Sequence, residues 1–268
     1  MLLVTGASGY LGSELLRRRP DATGTYLTGR ARGFALDVRD AAAVRAAFER
    51  VRPTAVIHTA YRQDDRATTL DGARAVAQAA ASVEARLVHL STDVVFDGEK
   101  EGSYREDDQP CPITDYGRAK ADAEREVAAA HPAALIVRTS LLYGAVRPGP
   151  QERLAADPHA IFFSDEVRSP THVGDLARAL LELVGLDQCG VLHVAGADSI
   201  DRLELARLLL EARGADPSRL RSTTVADSAL ARPRNCALSS ARARDLLATE
   251  LRGARTVLGA PRPPLGFS

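Results

Sequence analysis

Leu2-Leu3-Val4-Thr5-Gly6-Ala7-Ser8-Gly9-Tyr10-Leu11-Gly12 decides how the rest of this chain is read. A short apolar run is cut by glycine, and a helical pattern then runs over residues 10–19 until Pro20 stops it. The spacing Gly6-x-x-Gly9-x-x-Gly12 permits a tight turn and lets a pyrophosphate reach backbone N–H groups at a helix N-terminus. Glycine turns without nucleotides are common, so the loop alone leaves the ligand open.

Outward from that turn, strand and helix signals alternate. Residues 25–27 and 34–36 read as short strands, and Asp40 reads as the cap of a helix reaching Val51, with Pro53 beyond it. A buried strand is predicted over 55–58, an alanine-rich helix over 70–82, a strand over 87–90, a helix over 116–130 and a strand over 135–137. Such repetition predicts a parallel, doubly wound α/β sheet of Rossmann type. The remainder is less regular. Residues 145–158, with three prolines, read as turns, followed by strands at 161–163 and 191–194 and helices at 173–184 and 203–213. The expected division is a dinucleotide-binding core with a catalytic helix in residues 1–144. Residues 145–268 then form a mixed segment feeding both the sheet and a small substrate-binding lobe at its carboxyl edge.

Bulk composition narrows the function. Lys+Arg and Asp+Glu balance at 35 each, which leaves no basic field to attract nucleic acid or an acidic membrane. Cys111, Cys189 and Cys236 are odd in number and widely spaced, as expected of reduced thiols in a cytoplasm and not of a disulfide framework or a zinc site. Residues 1–4 are too short for a signal peptide, and no run approaches the ~18 apolar residues of a membrane span. His58, His89 and His193 lie in or beside apolar strands and read as satisfied core histidines, while Asp107 and Asp108 read as a loop charge pair; no metal site is expected.

Tyr116 and Lys120 stand one helical turn apart in a chain whose only lysines are Lys100 and Lys120. Lysine is a compact charge that can lower a neighbouring phenol's pKa and join a proton relay, which arginine does poorly. Thr92 precedes Tyr116 by 24 residues. Hydride addition to a carbonyl leaves an alkoxide that needs a proton, and this trio offers a hydroxyl to orient the oxygen, a phenol to protonate it and a cation to tune the phenol. After the second strand the chain offers Arg30 and Arg32 and no acid, which favours the 2′-phosphate of NADP(H) over NAD(H). Asp37 and Val38 follow the next strand, where they can meet an adenine edge.

At these residues the chain resembles the extended short-chain dehydrogenase/reductase superfamily, and within it the dTDP-4-dehydrorhamnose reductase family. The resemblance runs through Ser91-Thr92-Asp93-Val94-Val95-Phe96-Asp97-Gly98, Tyr104-Arg105-Glu106-Asp107-Asp108, Tyr116-Gly117-Arg118-Ala119-Lys120, Arg138-Thr139-Ser140, Ser169-Pro170-Thr171 and Arg232-Pro233-Arg234-Asn235. It implies that Thr92, Tyr116 and Lys120 are catalytic. It also implies that Gly6, Gly9, Tyr10, Leu11, Asp37, Val38, Thr59, Ala60 and Tyr61 line the cofactor. The expected activity is NADPH-dependent reduction of a keto group on a nucleotide-activated sugar or similar polar carbonyl compound, with a homodimer left open. Two alternatives share the trio or the fold: a nucleotide-sugar epimerase that retains its cofactor, and a non-catalytic regulator like the methionine adenosyltransferase regulatory subunit. A dehydratase is disfavoured, because Val94 stands where elimination needs an acid.

The departures concern the substrate. Val94 and Leu141 replace aromatic residues of the family's sugar site, Arg168 replaces a small residue, and Arg62 enters a usually more apolar segment. The expectation is therefore that dTDP-4-dehydrorhamnose is a poor substrate, and that Arg168 and Arg62 suit a bulkier or more anionic ketone.

Overall fold

The computed structural model describes residues 1–29, 31–144 and 146–259. Its sheet is built around β1 (Leu2–Thr5), which is buried along its whole length. The chain continues through α1 (Tyr10–Arg18), β2 (Thr23–Tyr26), β3 (Gly33–Ala35), α2 (Ala41–Val51), β4 (Ala55–His58), α3 (Gly72–Ser82), β5 (Arg86–Thr92), α4 (Asp115–Ala130) and β6 (Leu135–Thr139). Next come β7 (Leu142–Tyr143), α5 (Pro150–Ala156), β8 (Ile161–Phe163), β9 (Val167–Arg168), β10 (Thr171–His172), α6 (Val173–Leu183) and β11 (Gly190–His193). The last are β12 (Ile200–Asp201), α7 (Arg202–Glu211), β13 (Arg221–Thr223), α8 (Ala241–Leu246) and α9 (Ala254–Gly259).

Seven strands pair in the order β3-β2-β1-β4-β5-β6-β11, all parallel. The order reverses between β1 and β4, and in such sheets the crevice at that point, outside the strand carboxyl ends, receives ligands. Alternation along each strand feeds two cores. Leu3, Val56 and Leu87 meet α2 and α3 on one face, while Val4, Ile57 and Val88 meet α1 and α6 on the other. Asp40 caps α2 as its position suggested, accepting hydrogen bonds from the backbone N–H groups of Ala42 and Ala43.

The C-terminal half divides its work. β11 completes the sheet, whereas α5, α7 and α9 surround a separate cluster of Tyr143, Phe162, Ile200, Leu205 and Leu209. Residues 150–156, expected as turns, form α5. Pro150 occupies the first helical turn, where its missing N–H costs nothing, and the Glu152 carboxylate accepts from Gly149 N at 2.9 Å. Among the described residues, no helix is long and apolar enough to cross a membrane.

Candidate active site

The glycine turn joins β1 to α1 at the switch point. Gly6 has φ +70, and a Cβ there would stand 2.8 Å from the Ala60 backbone, so only glycine lets this turn lie against the end of β4. Gly9 is the N-cap of α1 and supplies no side-chain cap, and Thr59 Oγ1 donates to Thr5 O at 2.7 Å. The turn that carries Gly6, Gly9, Tyr10 and Leu11 thus lies against Thr59 and Ala60, with backbone N–H groups at a helix N-terminus that no side chain caps, while the Tyr10 ring turns to Gly149 and Leu11 is buried in the core. That donor set fits a dinucleotide pyrophosphate.

The second-strand residues are placed less simply. Arg30 lies outside the described residues. Arg32 Nη2 donates to Leu16 O at 3.1 Å and Arg19 O at 3.2 Å, so it closes the C-terminal end of α1. Pairing of β3 with β2 returns the chain across that helix end, which the sequence could not disclose. A cavity of about 360 Å³ opens beside it, bordered by Ser8, Ser13, Arg17, Gly29 and Arg147. Asp37 is held by Arg39 at 2.7 Å, and Val38 is buried against Gly72.

Thr92 ends β5, and α4 carries Tyr116 and Lys120 across from it. The helix starts where Thr114 Oγ1 accepts from Gly117 N at 3.0 Å. Gly117 is required by packing, because a Cβ there would overlap the Val94 carbonyl oxygen. Tyr116 faces Thr92 and Tyr61, whose ring centroid lies 5.8 Å away. Burial, then the neighbouring Tyr61 and Asp93, push the Tyr116 phenol well above its usual pKa, while Thr92 opposes them. The phenol is therefore a neutral proton donor. Lys120 was expected to hold it down. Its ammonium donates to Leu90 O at 2.5 Å and sits 5.7 Å from the Tyr61 ring centre. Burial lowers its own pKa to about 8, against support from Glu124.

Behind Lys120 lies a buried polar layer. Glu124 pairs with Arg138 at 2.7 Å and accepts from Ser91 Oγ at 2.5 Å. Glu124 follows Tyr116 and Lys120 on the same helix face, a spacing of four that could have disclosed it. His58 and His89 are register partners on β4 and β5 and stack at 5.2 Å. They are not the satisfied core histidines expected. His58 Nδ1 meets Thr5 Oγ1 at 2.6 Å, but His58 Nε2 and both His89 nitrogens lack hydrogen-bond partners among the described residues. In a sheet these rings face each other, away from the carbonyls that would satisfy them.

Around the cluster, Val94 and Leu141 are partly buried, and Leu141 packs on the lobe's apolar cluster. Arg168 departs from its expected role. It is 2% exposed and shared between Glu166 at 2.9 Å and Asp93 at 3.6 Å, so its charge is already matched. Arg62 pairs with Asp64 at 3.0 Å on the surface. The inference of a more anionic ligand from these two arginines therefore falls. A cavity of about 980 Å³ runs along the outer face of α4 past Asp115, Arg118 and Asp122, away from these hydroxyls and the ammonium. The convergent polar groups, not that cavity, mark the candidate site.

Comparison with known proteins bears on this geometry. A family model described as RmlD substrate binding domain matches residues 1–260. The chain belongs to the RmlD substrate binding domain family. Among its relatives in that family, a Streptomyces griseus dTDP-4-dehydrorhamnose reductase is 39% identical over 86% of this chain and 81% of its own length. A dTDP-4-keto-6-deoxy-D-glucose reductase of Streptomyces niveus is 35% identical over 82% of this chain and 81% of its own length. The crystal structure of the Bacillus anthracis dTDP-4-dehydrorhamnose reductase in complex with NADP superposes with a TM-score of 0.85 at 26% identity, covering 96% of each chain.

Proposed function

We propose that this chain is an NADPH-dependent reductase of the keto group on a nucleotide-activated sugar, of the dTDP-4-dehydrorhamnose reductase kind. One observation carries the reading: the Thr92 hydroxyl, the neutral Tyr116 phenol and Lys120 converge beside an uncapped glycine turn. The relatives named above support it, being named as reductases of dTDP-linked keto sugars, and the Bacillus anthracis one as a complex with NADP. We extend it to a cytoplasmic setting, in keeping with three free cysteines.

The backbone of Gly6, Gly9, Tyr10 and Leu11 would hold the pyrophosphate, Asp37 and Val38 the adenine, and Lys120 the ribose hydroxyls beside Thr59, Ala60 and Tyr61. When bound, the reduced nicotinamide supplies a hydride. Thr92 Oγ1 donates to the carbonyl oxygen and holds it in place. Tyr116 gives its phenolic proton to that oxygen as negative charge develops there. Lys120 contributes positive charge near the site, and its burial behind Tyr61 keeps water away from it.

The test pairs NADPH fluorescence titration with a steady-state screen of nucleotide-linked keto sugars. Tyr116→Phe should bind NADPH within a few-fold of wild type and lose at least ~10²-fold in turnover, the usual scale for a general acid. A variant that turns over normally would overturn the mechanism. A cofactor that never exchanges would indicate an epimerase, and tight NADPH binding without any turnover a regulator. Val94 and Leu141 remove aromatic stacking at about 0.5–1.5 kcal/mol, so dTDP-4-dehydrorhamnose should be the weaker substrate. A kcat/KM above ~10⁴ M⁻¹s⁻¹ for it would refute that preference.

A further inference from the structure

A hydroxyl carries one proton, and in this structure the proton of Thr92 is already engaged. Thr92 Oγ1 donates to Asp93 Oδ1 at 3.1 Å, while Asp93 Oδ2 accepts from Ser140 Oγ at 2.5 Å. Asp93 is 3% exposed. To donate to a substrate carbonyl, Thr92 must leave this carboxylate, and a buried carboxylate deprived of a donor is costly unless other partners remain. Arg168 Nε lies 3.6 Å from Asp93 Oδ2. The same guanidinium donates to Glu166 at 2.9 Å and to Pro233 O at 3.3 Å, which fixes its plane.

We propose that Arg168 is a positioning residue: by keeping Asp93 paired, it frees the Thr92 hydroxyl to turn from Asp93 to the substrate carbonyl. The inference rests on the proposed role of Thr92 in holding that carbonyl. The groups facing Asp93 are Thr92 on its own turn, Ser140 after β6, Tyr116 from α4, Arg168 and Glu166 at β9, and the Cys236 thiol. Burial drives Asp93 towards its protonated form, and Arg168 first, then Ser140 and Thr92, oppose it. Glu166 is fully buried and is also bound by Arg202 at 3.3 Å and Arg232 at 2.5 Å. Three arginines against Glu166 and Asp93 leave this cluster one positive charge in excess, so Arg168 can favour Asp93 without orphaning Glu166. The arrangement also ties the turn carrying Thr92 to the first residue of α7 in the lobe.

The experiment is Arg168→Met, beside Arg168→Lys and the double variant Asp93→Asn/Arg168→Met, each checked for folding by circular dichroism. Without its cation, Asp93 should titrate at a higher pH. Below that point its neutral carboxyl releases Thr92; above it an under-paired carboxylate grips the hydroxyl. Arg168→Met should therefore show a new inflection in kcat between about pH 5 and 8, with activity falling about ten-fold as pH rises, and unchanged NADPH affinity. Arg168→Lys should restore the wild-type profile shape, and Asp93→Asn should abolish the inflection. A parallel pH profile in Arg168→Met, or an inflection that survives Asp93→Asn, would overturn the proposal. An infrared readout needs no substrate. Arg168→Met at pH 5, at the acid end of that range, should gain a protonated-carboxyl band that disappears in the double variant, and its absence would refute the inference. Wild-type protein inert towards every keto sugar would count instead against the functional reading, with the infrared result still deciding Arg168.

Discussion

Glu124→Gln probes how the buried layer supports Lys120. Glu124 is 5% exposed and Arg138 3%, and the carboxylate grips the guanidinium at 2.7 and 2.9 Å while accepting from Ser91. Removing one partner of a buried pair costs about 3–5 kcal/mol, because the other charge is left uncompensated. The amide oxygen can still accept from Arg138 and Ser91, so the lower end, about 3 kcal/mol, is expected. For a chain this long each kcal/mol moves Tm by about 2 °C, so the midpoint should fall by about 6 °C. A second effect reaches the site. Glu124 is the group that pushes the Lys120 pKa up against burial. Without it, Lys120 should lose its proton at lower pH, and NADPH affinity should weaken earlier as pH rises from 7 to 9. Thermal unfolding followed by circular dichroism and NADPH titrations across that range read both. Glu124→Gln/Arg138→Met, which removes both charges, should recover part of the lost stability. A Tm within ~1 °C of wild type for Glu124→Gln, or a double variant that loses the full sum of the singles, would refute the reasoning.

Gly117→Ala should separate Tyr116 from Thr92, since its Cβ would overlap the Val94 carbonyl oxygen, and neither backbone can yield without moving the turn or the helix. Overpacking of this kind costs about 1–3 kcal/mol; a fall in Tm with a larger proportional fall in kcat than in NADPH affinity is expected, and unaltered kcat would contradict it. Between pH 7.5 and 4.5 the buried histidines add to acid sensitivity: burial lowers His58 and His193 to about 3, and His89 well below its usual range. The unfolded chain protonates them near pH 6.5 and the fold does not, so their contribution is complete above that pH and declines as pH falls towards 3. Each should contribute about 1.4 kcal/mol per pH unit in that window; urea midpoints from pH 7.5 to 4.5, compared with His58→Gln, should show a shallower slope in the variant.

Much was legible in local pattern. The glycine turn, the cap at Asp40 and the Tyr116–Lys120 spacing each depend on a few neighbouring residues, so periodicity and turn chemistry expose them. The two-residue strands and α5 of the C-terminal half were not legible. β9 and β12 are two residues each and exist through remote pairing, with one another and, for β9, with Asn235. α5 needs the Glu152 carboxylate to return to Gly149 N, which proline content alone conceals.

Residue type and spacing alone determined that this chain folds as a doubly wound sheet and that Tyr116 and Lys120 share one helix face, because strand alternation and helical repeat are properties of consecutive residues. Only the tertiary structure decided where the charges go. Arg168, read as a free cation for a ligand, is claimed by Asp93 and Glu166, and Arg32 by carbonyls at the end of α1. Apart from Glu166, two residues from Arg168, those partners are remote along the chain and near in space, and a charge's partner is chosen by distance through the fold.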